Sequence, residues 1–141
     1  MLRGVVDEIL FCDLRRPRDW VALCRQQNHV NIRFIQQSVL EVFPELPPIS
    51  VFFYRRDGSG EGGSELYLLG EELFSRIIAR CRPEGTLILT DGSNSSDGLF
   101  ERLIQPEGFV SESWGWHFRL ALEQPWLSDH GLYAIEAKRI S

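Results

Sequence analysis

The segment Val51–Gly70, VFFYRRDGSGEGGSELYLLG, constrains the fold most, because an apolar run there gives way to a glycine-rich loop and then to a helical pattern. The run Ile49–Tyr54 is apolar or aromatic at nearly every position, which is typical of a strand covered on both faces. Apolar residues then recur at helical spacing from about Glu65 to Cys81. A strand, a glycine-rich loop and a helix in this order predict an α/β unit.

The loop of this unit is the first candidate for a binding site. Four of its six positions from Gly58 to Gly63 are glycine, and Asp57 and Glu61 supply carboxylates. Glycine costs chain entropy, so the cluster indicates a backbone with positive φ or one that approaches a ligand closely. Loops after parallel strands, at the start of a helix, are where open α/β sheets bind ligands. The alternative is a flexible connector without a ligand.

The rest of the chain alternates between strand and helix patterns. Further strands are predicted at Val5–Leu14, Val30–Gln36, Thr86–Thr90 and Leu132–Ala137, with a mostly strand-like pattern over Phe109–Phe118. Helical patterns cover Pro17 or Arg18 to Gln27, a short turn at Val39–Phe43, and Leu99–Ile104.

This alternation predicts an α/β fold with three layers, in which an open, mostly parallel sheet of about five strands carries helices on both faces. The simplest unknotted strand order is 2-1-3-4-5, with the Trp114–Trp126 segment added at one edge.

Length and composition are those of a single globular domain spanning residues 1–141. The net charge of −5 weighs against a protein that binds nucleic acids in general or anionic membranes, because both kinds of binding need excess Lys and Arg. No uninterrupted apolar run reaches membrane-spanning length. The N-terminal sequence also lacks the pattern of a cleaved signal peptide. We therefore expect a cytoplasmic protein.

Metal and disulfide chemistry are not predicted. The cysteines are odd in number, widely spaced and set in apolar or helical contexts: Cys12, Cys24 and Cys81. Such cysteines are typical of reduced core thiols in a cytosolic protein. The histidines have no ligand-like partner at helical or turn spacing: His29, His117 and His130.

Three polar clusters stand at predicted strand ends, namely Asp13, the loop Asp57–Ser64 and the loop Asp91–Ser95. In a doubly wound sheet the carboxyl ends of the strands share one edge, so we expect these clusters to meet although they are distant in sequence. Carboxylates there would bind hydroxyl or ammonium groups, and the backbone N–H groups of a glycine loop would bind anions. The alternative is that each Asp caps the helix that follows it.

Several segments together resemble the class I S-adenosylmethionine-dependent methyltransferases, from about Asp13 to Ile140. They are Asp13 with the helix after it, NHVNIRFIQQSVLEVFPELPP, the strand Ile49–Tyr54, RCRPEGTLILTDG and IQPEGF. The resemblance implies a Rossmann-like fold and S-adenosylmethionine as cofactor, with Asp13 holding its ribose. The cofactor-binding residues implied are Asp13, Asp57, Gly58, Glu61, Gly62, Gly63 and Asp91. No residue stands out as a general base, and methyl transfer often needs mainly orientation of donor and acceptor.

The chain departs from that family at two points. Gln37-Ser38 stands where the family's next strand usually ends on an acid, and the twelve residues before Asp13 contain a single glycine, Gly4. Either the chain begins after the family's first strand, or Glu8–Cys12 is that strand with its glycine motif eroded. The prediction is accordingly a shortened or degenerate methyltransferase-like domain.

Two alternatives remain. GGSEL followed by a helix and LILTDGSNS resembles the later half of von Willebrand factor A domains, which implies a divalent cation held by Ser64 and Asp91. That family's Asp-x-Ser-x-Ser motif is missing after Asp13. The other alternative is a non-catalytic protein-binding or assembly module of the same fold. It would self-associate or hold a protein partner through the Trp114–Trp126 segment.

Overall fold

The computed structural model describes residues 8–12, 31–35, 39–54, 68–93, 95–121, 127, 129 and 131–140. The chain divides into two compact units, Met1–Glu45 and Leu46–Ser141. The helix predicted from Pro17 or Arg18 to Gln27 lies outside the described residues. None of the described helices is long and apolar enough to cross a membrane.

The first unit contains a pair of parallel strands. β1 (Glu8–Cys12) and β2 (Asn31–Ile35) pair from Glu8 opposite Asn31 to Cys12 opposite Ile35. Both strands lie where the apolar patterns predict them. A short helix α1 (Val39–Val42) and one 3-10 turn follow, before Pro47 and Pro48 prevent any continuation of the helix.

The second unit is a five-stranded sheet with two helices. Its strands are β3 (Val51–Tyr54), β4 (Thr86–Thr90), β5 (Phe109–Ser111), β6 (Trp116–Leu120) and β7 (Tyr133–Arg139). Its helices are α2 (Glu71–Ala79) and α3 (Leu99–Leu103). The strand order is β3-β4-β7-β6-β5. The mixed α/β class and the number of strands in this sheet agree with the sequence-based prediction.

The predicted mostly parallel sheet is wrong for this unit. Only β3 and β4 run parallel, whereas β7 is antiparallel to both β4 and β6, and β6 is antiparallel to β5. For β5 and β6 the direct cause is the tight connection between them, in which Gly115 has a φ of +72°. Strands joined by so short a turn can pair only in antiparallel fashion. The order 2-1-3-4-5 is not confirmed, because β1 and β2 form their own sheet among the described strands.

Helix α2 begins later than its apolar spacing predicts. The spacing starts near Glu65, yet the helix begins at Glu71, and the backbone of Leu69 forms a bridge with Ser95 instead of a helical turn. From Glu71 onward the helix is amphipathic, and four apolar side chains are buried: Leu73, Phe74, Ile77 and Ile78. The helix ends at Ala79, shortly before a turn that contains Pro83 and Gly85, and proline cannot continue a helix.

An aromatic cluster joins α2 to the sheet. The ring of Phe74 lies 5.2 Å from Trp114 and 5.5 Å from Phe118, and Phe109 stacks on Phe118 at 5.8 Å. Phe74 and Phe118 are fully buried, and each burial stabilises the fold by roughly 1.5–3 kcal/mol. Arg102 of α3 lies over Phe109 on the same face, 5.6 Å from the ring centroid. Helices α2 and α3 therefore lie on the same face of this sheet, and a helical layer on the other face stays a prediction.

A second correction concerns β3, on the face of the sheet opposite α2 and α3. β3 was predicted to be covered on both sides, but Phe53 is 54% exposed and Val51 only half-buried. Tyr54, which points to the other side of the strand, is buried.

Candidate functional site

Most of the predicted site residues lie outside the described part of the chain. They are Asp13, Asp57, Gly58, Glu61, Gly62 and Gly63. Ser64, the other cation ligand in the von Willebrand factor A alternative, also lies outside it. Asp91 is described, so the geometry of the candidate site is that of the loop after β4 and of the segments it contacts.

The loop after β4 is a polar turn closed by its own side chains. Asp91 Oδ1 accepts hydrogen bonds from the backbone N–H of Ser93 at 2.9 Å and from the Ser93 hydroxyl at 2.5 Å. The N–H of Gly92 donates to Thr90 Oγ1 at 3.1 Å. Gly92 itself has a φ of +77°, and the ring of Phe100 fills the space where a side chain would start. The loop is therefore half-buried and has a defined shape.

This loop meets the end of the Val51–Gly70 segment. Leu69 and Ser95 form a parallel bridge, and the N–H of Ser96 donates to the Leu69 carbonyl at 3.1 Å. Gly70 packs so closely that an added Cβ would overlap Ser96 Oγ. The two segments follow the parallel strands β3 and β4, so they meet at the carboxyl edge of that pair. The predicted meeting of the three polar clusters stays a prediction, because Asp13 and the whole loop Asp57–Ser64 lie outside the described residues.

A carboxylate that sequence reasoning did not single out caps α2. The backbone N–H of Glu71 donates to Asp97 Oδ2 at 3.4 Å, across 26 positions of sequence. An acid at a helix N-terminus is favourable because the first N–H groups are unsatisfied and partly positive. In the sequence, Asp97 and Gly98 stand just before an apolar run, a pattern that indicates an N-terminal cap for α3. No sequence pattern shows that the Asp97 carboxylate contacts α2 instead.

Cys81 is a buried thiol, as predicted, and it is free. Its Sγ donates to the Ile77 carbonyl at 3.2 Å, and burial raises the pKa of the thiol to about 11. Such a thiol stays protonated and is a poor nucleophile at neutral pH. Among the described residues, no group of three or more His, Cys, Asp or Glu side chains is placed to hold a metal ion. The side chain of Cys12, all of Cys24, and His29 and His130 lie outside the described residues.

A shallow groove of about 390 Å³ lies beside the C-terminal half of α2. Its walls include Ile78, Trp114, Trp116 and Arg139. The indole N–H of Trp114 donates to the Ser75 hydroxyl at 3.2 Å, which fixes this side chain between the helix and the sheet. Trp114 therefore contributes to the core and to the surface at once.

The outer face of β6 and β7 carries a small ionic cluster. Glu136 Oε1 lies 3.0 Å from Lys138 Nζ and 3.4 Å from Arg119 Nη2. The hydrogen bond from Lys138, with the charges of both basic groups, lowers the pKa of Glu136. Arg119 and Lys138 are exposed and Glu136 is half-buried, so the cluster is expected to contribute little stability.

Comparison with known proteins gives one structural neighbour and no family. No family model matches the sequence, and no curated protein matches it. Among solved structures, the chain is similar to an rRNA methylase from Streptococcus thermophilus, with 12% sequence identity and a TM-score of 0.49. The similarity covers 96% of this chain and 89% of that one. At this level the likeness assigns neither a family nor an activity.

Proposed function

We propose that this chain is a methyltransferase-like domain that binds S-adenosylmethionine at the edge where the segments after β3 and β4 meet. The observation that supports the proposal is the bridge between Leu69 and Ser95. It joins Leu69, at the end of the segment that follows β3, to the loop that follows β4. The carboxyl edge of neighbouring parallel strands is the ligand-binding edge of α/β sheets. Catalysis is not part of the proposal, because no side chain in the described part of this edge has a defined role in proton transfer.

The polar groups at the edge suit the cofactor. S-adenosylmethionine carries ribose hydroxyls, an ammonium group and a carboxylate, and it supplies an activated methyl group when bound. The Asp91 carboxylate is an acceptor for hydroxyl or ammonium groups, and the hydroxyls of Ser95 and Ser96 lie in the same half-buried stretch. Asp57, in the segment after β3, is the sequence-based candidate for a further carboxylate contact.

Calorimetric titration with S-adenosylmethionine and S-adenosylhomocysteine tests this function. We expect saturable heat with both, since they differ only in the transferable methyl group and its charge. Asp91→Asn should weaken binding by about tenfold, which corresponds to ~1.4 kcal/mol, because a charge-assisted hydrogen bond becomes a neutral one. Glu112→Gln is the matched control, because Glu112 is an exposed acid in the turn between β5 and β6. An absence of heat with both ligands at millimolar concentration contradicts the proposal.

A second candidate function is protein contact through the Trp114–Trp126 segment. The supporting observation is the open groove beside Trp114, which Trp116 also lines. Tryptophan is enriched at protein contacts. Sedimentation at increasing concentration would show self-association that Trp114→Ser reduces, and a monomer at all concentrations would contradict the self-associating form of this proposal. Residues 122–126 lie outside the described residues.

The cation-binding alternative gains no comparable support. Of the two ligands that it implies, Ser64 lies outside the described residues, and no group of three or more His, Cys, Asp or Glu side chains among the described residues is placed to hold a metal ion. A magnesium- or manganese-dependent rise in melting temperature that Asp91→Asn abolishes would favour it nevertheless, because a ligand that binds only the native state stabilises that state.

A further inference from the structure

Three residues tie the loop after β4 to both helices of the second unit. Asp97 Oδ2 accepts from the N–H of Glu71 at 3.4 Å. Arg102 Nη2 donates to the Asp97 carbonyl at 3.1 Å and to Glu71 Oε1 at 3.1 Å. Glu71 begins α2, Arg102 belongs to α3, and Asp97 lies in the loop between β4 and α3. We call this closed set of contacts the Asp97 clasp.

The backbone at Asp97 is strained in a way that fits this contact. Its φ is +61°, the one positive φ among the described residues that are not glycine. Side chains occupy this region at a cost that is smallest for Asn and Asp. The strained residue is also the one whose carboxylate reaches α2, so the strain and the cap belong to one arrangement.

The clasp lies directly beside the bridge that brings the two loops together. Ser96 precedes Asp97 and donates its N–H to the Leu69 carbonyl at 3.1 Å. Gly70, between Leu69 and Glu71, has no room for a Cβ, which would lie 2.8 Å from Asp97 Oδ2. The segments 68–71 and 95–97 therefore lie in close contact, and the Asp97 clasp lies at one end of this contact.

We propose that the Asp97 clasp positions the loop of Asp91 and Ser93 for ligand binding, which makes Asp97 and Arg102 positioning residues. The inference rests on the proposed S-adenosylmethionine site. A binding loop held in its bound shape loses less conformational entropy when the ligand arrives, so pre-organisation raises affinity. Opening the clasp would free the loop while leaving the Asp91 carboxylate in the protein, so the affinity falls although no proposed ligand contact has been removed.

Four variants separate the cap from the backbone shape and from the loss of charge. Asp97→Gly keeps a backbone that accepts positive φ but lacks the acceptor for Glu71. Asp97→Asn keeps both, because its amide oxygen accepts the same hydrogen bond and Asn tolerates positive φ. Arg102→Gln opens the other side of the clasp. Arg76→Gln is the matched control, since the ion pair of Arg76 with Glu72 is exposed and lies within α2.

We expect the Kd for S-adenosylmethionine, measured by calorimetry, to rise about tenfold in Asp97→Gly and Arg102→Gln, or ~1.4 kcal/mol. Asp97→Asn and Arg76→Gln should stay within about twofold of the parent. If Asp97→Asn keeps the affinity of the parent while Asp97→Gly loses it, the loss is due to the missing hydrogen-bond acceptor and not to a general loss of stability. Equal affinity in the parent, Asp97→Gly and Arg102→Gln would overturn the inference.

Amide hydrogen exchange without ligand tests the clasp separately. The Ser96 N–H, bonded to Leu69, should exchange about tenfold faster in Asp97→Gly and Arg102→Gln, because local opening becomes easier. The Leu87 N–H, which donates to the Ser50 carbonyl at 3.0 Å, is the internal control and should not change. Unchanged exchange at Ser96 overturns the inference even if the parent binds the cofactor. A parent that binds no cofactor overturns the proposed function and the positioning role together.

Discussion

Gly92, in the turn after β4, gives a direct test of how the candidate edge is built. Its φ is +77°, and an added Cβ would lie 2.6 Å from two atoms of the Phe100 ring. A side chain in the left-handed region costs about 1–2 kcal/mol, and forcing a methyl group into a packed site costs about 1–3 kcal/mol more. We therefore expect Gly92→Ala to lower the free energy of unfolding by roughly 2–5 kcal/mol.

Gly98 provides the control for the backbone part of this cost. Its φ is +65°, but nothing lies within 4 Å of an added Cβ. Gly98→Ala should therefore cost only the backbone term, about 1–2 kcal/mol. Placing Gly92→Ala in a Phe100→Leu background tests the steric part. A smaller side chain leaves room for the methyl group, so the two substitutions should couple favourably by ~1 kcal/mol or more.

Urea denaturation followed by tryptophan fluorescence measures these differences, because Trp114 packs against Phe74 and Phe118 in the same unit. The midpoint should fall for Gly92→Ala with little change in the denaturant dependence. Equal losses in Gly92→Ala and Gly98→Ala, or independent effects of Gly92→Ala and Phe100→Leu, would refute the conclusion that the Phe100 ring occupies this space.

Three further predictions concern the second unit. Burial raises the pKa of Cys81 from 9.0 to about 11. The stabilisation by the neutral thiol is therefore complete below pH 9 and is lost as the pH rises through 11. The free energy of unfolding, measured from pH 8 to 11, should fall less in Cys81→Ala than in the parent. The buried Thr86 hydroxyl donates to the Ile49 carbonyl at 2.7 Å and accepts from the Arg82 N–H at 2.9 Å. Thr86→Val should therefore lower the free energy of unfolding, measured with denaturant, by about 1–3 kcal/mol, which is more than Thr86→Ser, because serine keeps the hydroxyl. The hydrogen bond from Lys138 and the neighbouring charges hold the pKa of Glu136 below 4.5. The small stabilisation by this carboxylate is therefore present above pH 4.5 and is lost as the pH falls through the folded-state pKa. Carboxyl NMR titration should show this pKa move back toward 4.5 in Lys138→Gln, and an unchanged value would contradict the assigned cause.

Local sequence patterns predict the elements whose limits are set locally. β4 matches its predicted bounds, Thr86–Thr90, because the apolar run is bounded by a glycine turn and by Asp91. β1, β2 and the short helix α1 also lie where their patterns place them. These elements depend on alternation, turn residues and proline stops, all of which act over a few neighbouring residues.

Features that depend on distant partners could not be obtained in this way. The apolar spacing of α2 extends before Glu71, and only the hydrogen bond from Ser96 to the Leu69 carbonyl shows that this backbone pairs instead of coiling. The cap of α2 by Asp97 likewise depends on a residue 26 positions away. The antiparallel placement of β7 is a third case, because a strand's own pattern does not specify its neighbours. For the candidate site, sequence identified Asp91 but not the residues that hold its loop.

The central position of β7 has a consequence for how the chain is made. β7 is the last of the described strands in sequence, yet it lies between β4 and β6, with Ala137 paired to both Thr86 and Phe118. While the polypeptide is still emerging from the ribosome, β3 with β4 and β5 with β6 can form only as separate pairs. Each pair then presents an open edge, which is a template for pairing with other chains. A nascent chain halted before Tyr133 should therefore depend on chaperones far more than the finished one.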